Sequence, residues 1–177
     1  MRKCFGRASA RLLLIGSTCT AFAAVAVLPA GADTTASFTL TAGALSISAP
    51  TGTVSLGSQV AATGSSTISG ALGSVTVSDQ RGGATTWTVS VISTAFTPTA
   101  GPADPASNVS YGTGVITSSA LVTATPVAAL NLTGPSTVVT GVSTGISTAS
   151  WNPTISIVVP ANFAPGVYVA TITHSVA

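Results

Sequence analysis

Ser74-Val-Thr-Val-Ser-Asp-Gln-Arg-Gly-Gly-Ala-Thr-Thr-Trp-Thr-Val-Ser-Val91 is the stretch whose reading decides the fold. Val75 and Val77 alternate with Thr76 and Ser78. Trp87, Val89 and Val91 then alternate with Thr88 and Ser90. A period of two places each set on one face of a half-buried strand. Between the runs, Asp79-Gln-Arg-Gly-Gly83 carries residues that tolerate a chain reversal. The stretch therefore predicts a β-hairpin whose inner face bears one of the two tryptophans of the chain.

The same alternation recurs on either side. Upstream, Phe38 and Leu40, then Leu45 and Ile47, then Val54 and Leu56 predict short strands broken at Gly43 and Gly57. Downstream, residues 97–108 are rich in Pro, Ala and Gly and predict a surface loop, after which Val109 and Tyr111 resume the β pattern. Residues 120–148 have no readable register because Pro126, Pro135 and repeated Gly interrupt them. Trp151, Ile155, Ile157 and Val159 fall on one face of a further strand, and residues 167–176 form the last one. No window beyond residue 32 has helical spacing, and the 177-residue chain has no Glu at all. Short Val- and Thr-rich runs between turn signals predict an all-β fold, an immunoglobulin-like antiparallel β-sandwich.

Charge divides the chain. Arg2, Lys3, Arg7 and Arg11 precede an apolar run, and Ala30-Gly-Ala32 places small residues before Asp33. That arrangement predicts a signal peptide over residues 1–32, cleaved to leave a domain over 33–177. Both cysteines, Cys4 and Cys19, leave with it. The remainder has Arg81 against Asp33, Asp79 and Asp104, so a basic surface for nucleic acid is excluded. No sortase-type motif or apolar C-terminal tail gives support for covalent or membrane anchoring. With one His, no Glu, and neither Lys nor Cys after the leader, acid–base and nucleophilic chemistry has almost no residues to use. The expectation is a protein that is not an enzyme and takes no cofactor or metal.

These residues resemble the WxL domain of Gram-positive surface proteins, in particular its secreted actinobacterial form. That family has a proximal Trp-x-Leu and a distal Tyr-x-x-x-Leu-Thr-Trp-x-Leu. Trp87-Thr-Val89 is similar to the first, with Val for Leu. Tyr168-Val-Ala-Thr-Ile-Thr-His-Ser-Val176 keeps the spacing of the second, matching at Tyr168, Ile172, Thr173 and Val176. His174 stands where the family has the distal Trp. The resemblance implies a secreted or wall-associated protein, held non-covalently on peptidoglycan or another wall polymer, with other surface proteins as further partners.

Each candidate residue has a structural reading beside the functional one. Trp87 reads as a core anchor or a platform for a sugar ring, and Trp151, before Asn-Pro, as core or as a half-exposed ring at a strand end. His174 shares a face with Tyr168, Ile172 and Val176, which predicts a packed, hydrogen-bonded imidazole. Asp79 and Arg81 read as turn contacts, an Asx-type turn with the Arg on carbonyls or on a carboxylate, or as polar contacts to a partner. A second function fits the same composition. Uncharged Thr, Ser and Val strands without edge lysines are poorly protected against pairing between chains, as in the subunit of a surface fibre or layer.

Overall fold

Period-two runs of β-branched residues build almost everything seen here. The computed structural model describes residues 31–177, which are 46 % strand and 2 % helix. The signal-peptide reading of residues 1–32 falls almost wholly outside the described part. Residues 39–177 form one compact unit. Its strands are β1 Leu45–Ser48, β2 Ser66–Ala71, β3 Val75–Asp79, β4 Thr85–Ser93, β5 Thr97–Pro98, β6 Val109–Gly112 and β7 Ile116–Ser118. They continue with β8 Val122–Pro126, β9 Ser136–Ser143, β10 Ser147–Trp151, β11 Thr154–Val159, β12 Tyr168–Val169 and β13 Ile172–Val176.

Every ladder is antiparallel. The first layer has the order β1-β3-β10-β7, continued by β2-β11-β6. These two ladders are one sheet bent across its middle, because β2 runs into β3, β10 into β11 and β6 into β7. The bend falls at residues 72–74, 152–153 and 113–115, in register across three strands. Leu72 N–H donates to the Pro153 carbonyl at 2.9 Å across it, and Gly73 N–H donates to Asn152 Oδ1 at 3.0 Å. Gly73 takes φ +100° there, and a Cβ on it would meet Pro50 Cγ at 2.8 Å. The second layer has the order β13-β4-β9-β8, with β12 and β5 extending β13 and β4 beyond a break.

The layers face each other through Val75, Val77, Ala149, Trp151 and Ile155 on one side and Trp87, Val89, Val91, Val122 and Val139 on the other, all buried. Each such side chain withdrawn from water contributes about 1.5–3 kcal/mol, which is the main source of stability for a domain with few charged residues and no cysteine. A bulge between Val89 and Ser90 leaves Val138 as the extra residue of β9, so Val138 and Val139 are both buried.

Four expectations need correction. Residues 74–91 are not a hairpin: β3 lies in the first layer and β4 in the second, and residues 80–84 arch between them. Alternation fixes which face is apolar, not which sheet a strand joins, so the two inner faces meet across the core instead of lying side by side. Phe38 and Leu40 are in no strand and are 91 % and 87 % exposed, and Val54 and Leu56 also lack ladder partners. Residues 97–108 are not wholly surface: Pro98, Asp104 and Ala106 are buried, because Phe96 and Asp104 exchange two backbone hydrogen bonds of 2.8 Å. The unreadable span 120–148 contains β8, β9 and the start of β10.

Candidate functional site

The proximal motif and Trp151 are built into the core. Trp87, on the inner face of β4, is 3 % exposed, and its Nε1 donates to Ser143 Oγ at 3.2 Å. Ser143 Oγ in turn lies 2.9 Å from Ser147 Oγ, so the buried indole N–H and both hydroxyls are partnered. Its ring lies against Gly141, directly across the ladder, where a Cβ would fall inside the indole. Val89 is fully buried beside it.

Trp151 is likewise 3 % exposed, which decides for core over a half-exposed ring. Its Nε1 donates to Tyr111 Oη at 2.9 Å, and Tyr111 Oη lies 3.2 Å from His174 Nε2. Having accepted from Trp151, the phenol has its own proton left for His174 Nε2, which assigns a neutral imidazole with its hydrogen on Nδ1. The Tyr111 and His174 rings meet edge to face, centroids 5.7 Å apart. Burial pushes the Tyr111 phenol up to about 12 and lowers the His174 imidazole below its ordinary value. This chain of three spans both layers and is a structural relay.

Asp79 and Arg81 form the expected turn, with one difference in setting. Asp79 is buried, and Arg81 Nε and Nη2 donate to its two oxygens at 2.9 and 3.0 Å. Arg81 N–H at 3.1 Å and Thr85 Oγ1 at 2.7 Å donate to the same carboxylate, and Arg81 Nη2 also reaches the Thr86 carbonyl at 2.9 Å. The Arg81 guanidinium is the main reason the Asp79 carboxyl is held well below the usual range. These contacts lock the arch from β3 to β4. They leave little of Asp79 for a partner.

The distal motif lies at the mouth of a groove. Tyr168 is half-buried, stacks on Phe163 with centroids 5.9 Å apart and 8° between planes, and donates to the Ala164 carbonyl at 2.9 Å. Ile172, His174 and Val176 point inward and are half-buried, while Thr173 points out. The groove holds about 800 Å³ and runs between residues 49–61 on one wall and residues 163–172 on the other. Ile68, Phe96, Ile157 and His174 line it, as does Asp104, whose carboxyl burial pushes up while Asn108 Nδ2 donates to it at 2.6 Å. Among the described residues no three His, Cys, Asp or Glu gather as a metal site would need.

Outside, the first layer presents rows of hydroxyls. Ser48, Thr76, Ser150 and Thr117 stand in one register row across four strands, and Ser46, Ser78 and Thr148 in the next. Ser69, Ser156 and Ser110 form a third beyond the bend. Thr76 and Ser150 are hydrogen-bonded at 2.9 Å, and Ser69 and Ser156 at 2.7 Å. The outward positions Thr76 and Ser78 were legible as polar, whereas Ser69 lies in β2, a strand for which the sequence reading had no place. What linear sequence could not give is their alignment into rows, nor the partners Tyr111, Gly141 and Ser143, which lie far along the chain from the residues they serve. Comparison with family models, curated proteins and solved structures finds no match for this chain, so its chemistry has to be read from its own residues.

Proposed function

We propose that this chain is a secreted, non-enzymatic surface protein that associates non-covalently with a cell-wall polymer such as peptidoglycan. The leader and the resemblance to WxL domains support export and wall association. The observation that carries the binding mode is the set of hydroxyl rows on the first layer. With adjacent strands about 4.8 Å apart, a row of four spans roughly 14 Å of neutral, sterically level surface. Such a surface exchanges hydrogen bonds with sugar hydroxyls and amides and has no charge to desolvate. Each layer has one exposed valine on an inner strand, Val142 in the second and Val158, one row beyond Ser156, in the first, but only the second layer carries the bulge in β9, which adds twist. The proximal and distal motif rings act indirectly in this reading, by holding the layers together. The finer sandwich type is better described by its own strand order than as immunoglobulin-like. In that type the last two strands share a sheet, whereas here β10–β11 and β12–β13 lie in opposite layers.

Sedimentation of residues 33–177 with purified walls tests the proposal. Replacing exposed hydroxyls by Ala (Ser48→Ala, Ser69→Ala and Thr117→Ala together) is expected to reduce the bound fraction several-fold at an unchanged melting temperature. Unchanged sedimentation of that variant, or none with the parent chain, overturns it.

A further inference from the structure

The first layer has an edge strand along only half its length. β1 pairs with β3, and among the described residues nothing pairs with the corresponding edge of β2, whose ladder partner is β11 on the other side. The 49–61 segment runs beside β2, with Leu56 packed over Gly70, yet makes no backbone ladder with it. The layers therefore stay parted at this end, and the gap is the 800 Å³ groove. Inner-face residues that would be core in a closed sandwich, Ile68, Val159, Tyr168 and Ile172, remain half-buried around it.

The same chain has an unused strand of matching pattern. Over residues 35–42, Ala36, Phe38, Leu40 and Ala42 alternate with Thr35, Ser37, Thr39 and Thr41. Such alternation belongs to a strand with one buried face, but every one of these residues is exposed and none is in a ladder. In the proposed exported form, on which this inference rests, cleavage behind Ala32 makes this stretch the N-terminal tail of the mature chain. An amphipathic strand without a sheet and an open sheet edge above an apolar gap are complementary in chemistry. Neither brings a formal charge to the contact beyond Asp33 at the tip and Asp104 in the groove wall.

We infer that residues 33–42 of one copy insert as an added strand into the groove of a second copy. The strand pairs with the free edge of β2 and places Phe38 and Leu40 in the gap between the layers. The occupant is a second copy because the pattern, the absence of charge and the length all come from this chain. A strand of this length placed between two layers buries on the order of 1,500 Å² over both partners, within the range of stable interfaces. Phe38 alone brings about 200 Å² and serves as the anchor. Donor and acceptor are different surfaces, so the contact is head-to-tail and repeats from copy to copy unless it closes into a ring.

The experiment compares residues 33–177 with the Phe38→Asp, Leu40→Asp double variant by analytical ultracentrifugation across a concentration series. The parent is expected to gain mass with concentration to at least roughly twice the monomer. The variant should remain monomeric with an unchanged β-type dichroism spectrum, since both positions are exposed in the single chain. A peptide covering residues 33–43, added to the variant, should raise its melting temperature. Equal masses for parent and variant overturn the inference. So does a parent that stays monomeric while the peptide stabilises the variant, because the tail then docks on its own copy. An inert peptide overturns the groove as acceptor. Wall sedimentation of the monomeric variant keeps the two readings apart: retained binding leaves wall association standing, and its loss in parent and variant alike removes that reading alone.

Discussion

Gly141 is the residue on which the proximal tryptophan depends. No positive φ requires glycine there; the Trp87 ring occupies the space a Cβ would need. Gly141→Ala is expected to cost about 1–3 kcal/mol, the range for overpacking a tight core, read from a denaturant midpoint at unchanged slope. Trp87→Ala, which leaves a cavity over the same glycine, should cost about 3–5 kcal/mol. Two titrating groups act at separate ends of the pH scale. His174 has its folded value lowered by burial. The unfolded chain thus takes up a proton first, and stability falls as pH drops below the unfolded value of about 6.5 until the folded imidazole also titrates. Asp79, held low by Arg81, contributes stability above its unfolded value of about 3.9 and loses it as pH falls through its folded value. Asp104, pushed up by burial, acts in the opposite sense between these two, gaining stability as pH falls through its folded value. Melting temperatures from pH 8 to pH 2 should therefore decline near the His174 range and again at the acid end, and His174→Gln should remove the first decline. A decline in His174→Gln identical to the parent would mean that the imidazole stays solvated. His174→Trp should lower the melting temperature without tightening wall binding, because position 174 holds the Tyr111 phenol instead of facing a ligand.

At the level of elements, the bend of the first layer is held by one side chain. Asn152 Oδ1 accepts from Gly73 N–H and so ties the kinks of two neighbouring strands. Asn152→Ala removes that acceptor and should cost about 1 kcal/mol, while Gly73→Ala should cost more, since its φ of +100° disfavours a side chain and Pro50 blocks the Cβ. Protection of the Gly73 amide against hydrogen exchange is the direct readout for Asn152→Ala. Strand existence was legible in part: the alternating runs at 75–77, 87–91 and 155–159 are β3, β4 and β11, but those at 38–40 and 54–56 are in no ladder and β2 was not read at all. Pairing was not. Val75 and Val77 look the same whether β3 sits beside β4 or across the core from it, and only the buried Asp79–Arg81–Thr85 contacts distinguish an arch from a hairpin. The run of residues 167–176 read as one strand because Tyr168, Ile172, His174 and Val176 share a face; the break at 170–171 preserves that face and leaves no periodic trace. Trp151 was undecided because its hydrogen-bond partner Tyr111 lies 40 residues away.

Across the whole molecule, composition was a better guide than motif. The Val- and Thr-rich composition after residue 32, with no Glu and no Lys, implied an all-β fold, which is what the layers are. The candidate ligand platforms Trp87 and Trp151 are core, the groove is marked by the distal motif residues Tyr168, Ile172 and His174 that line it, and the hydroxyl rows and the unpaired tail are marked by no short motif. Mass spectrometry of the exported product is expected to find Asp33 at its N-terminus; a product beginning at Met1 would contradict the leader reading and bury the proposed donor tail in a longer segment.

The ladder between β4 and β13 sets the order in which this chain can acquire its structure. Ser90 pairs with Ser175, 85 residues on, and Ser69 with Ser156, 87 residues on. Central strands of both layers thus wait for partners made near the end of synthesis, and little beyond the β8–β9 pair can form from local sequence. Loop closure on that scale makes folding slow, on the order of milliseconds to seconds. Three strands of the second layer, β4, β9 and β8, are present by Ser143, and the first layer is complete by Val159, so the step left for last is the closing of the β4 edge by Ile172–Val176, which until then stays open to any other strand.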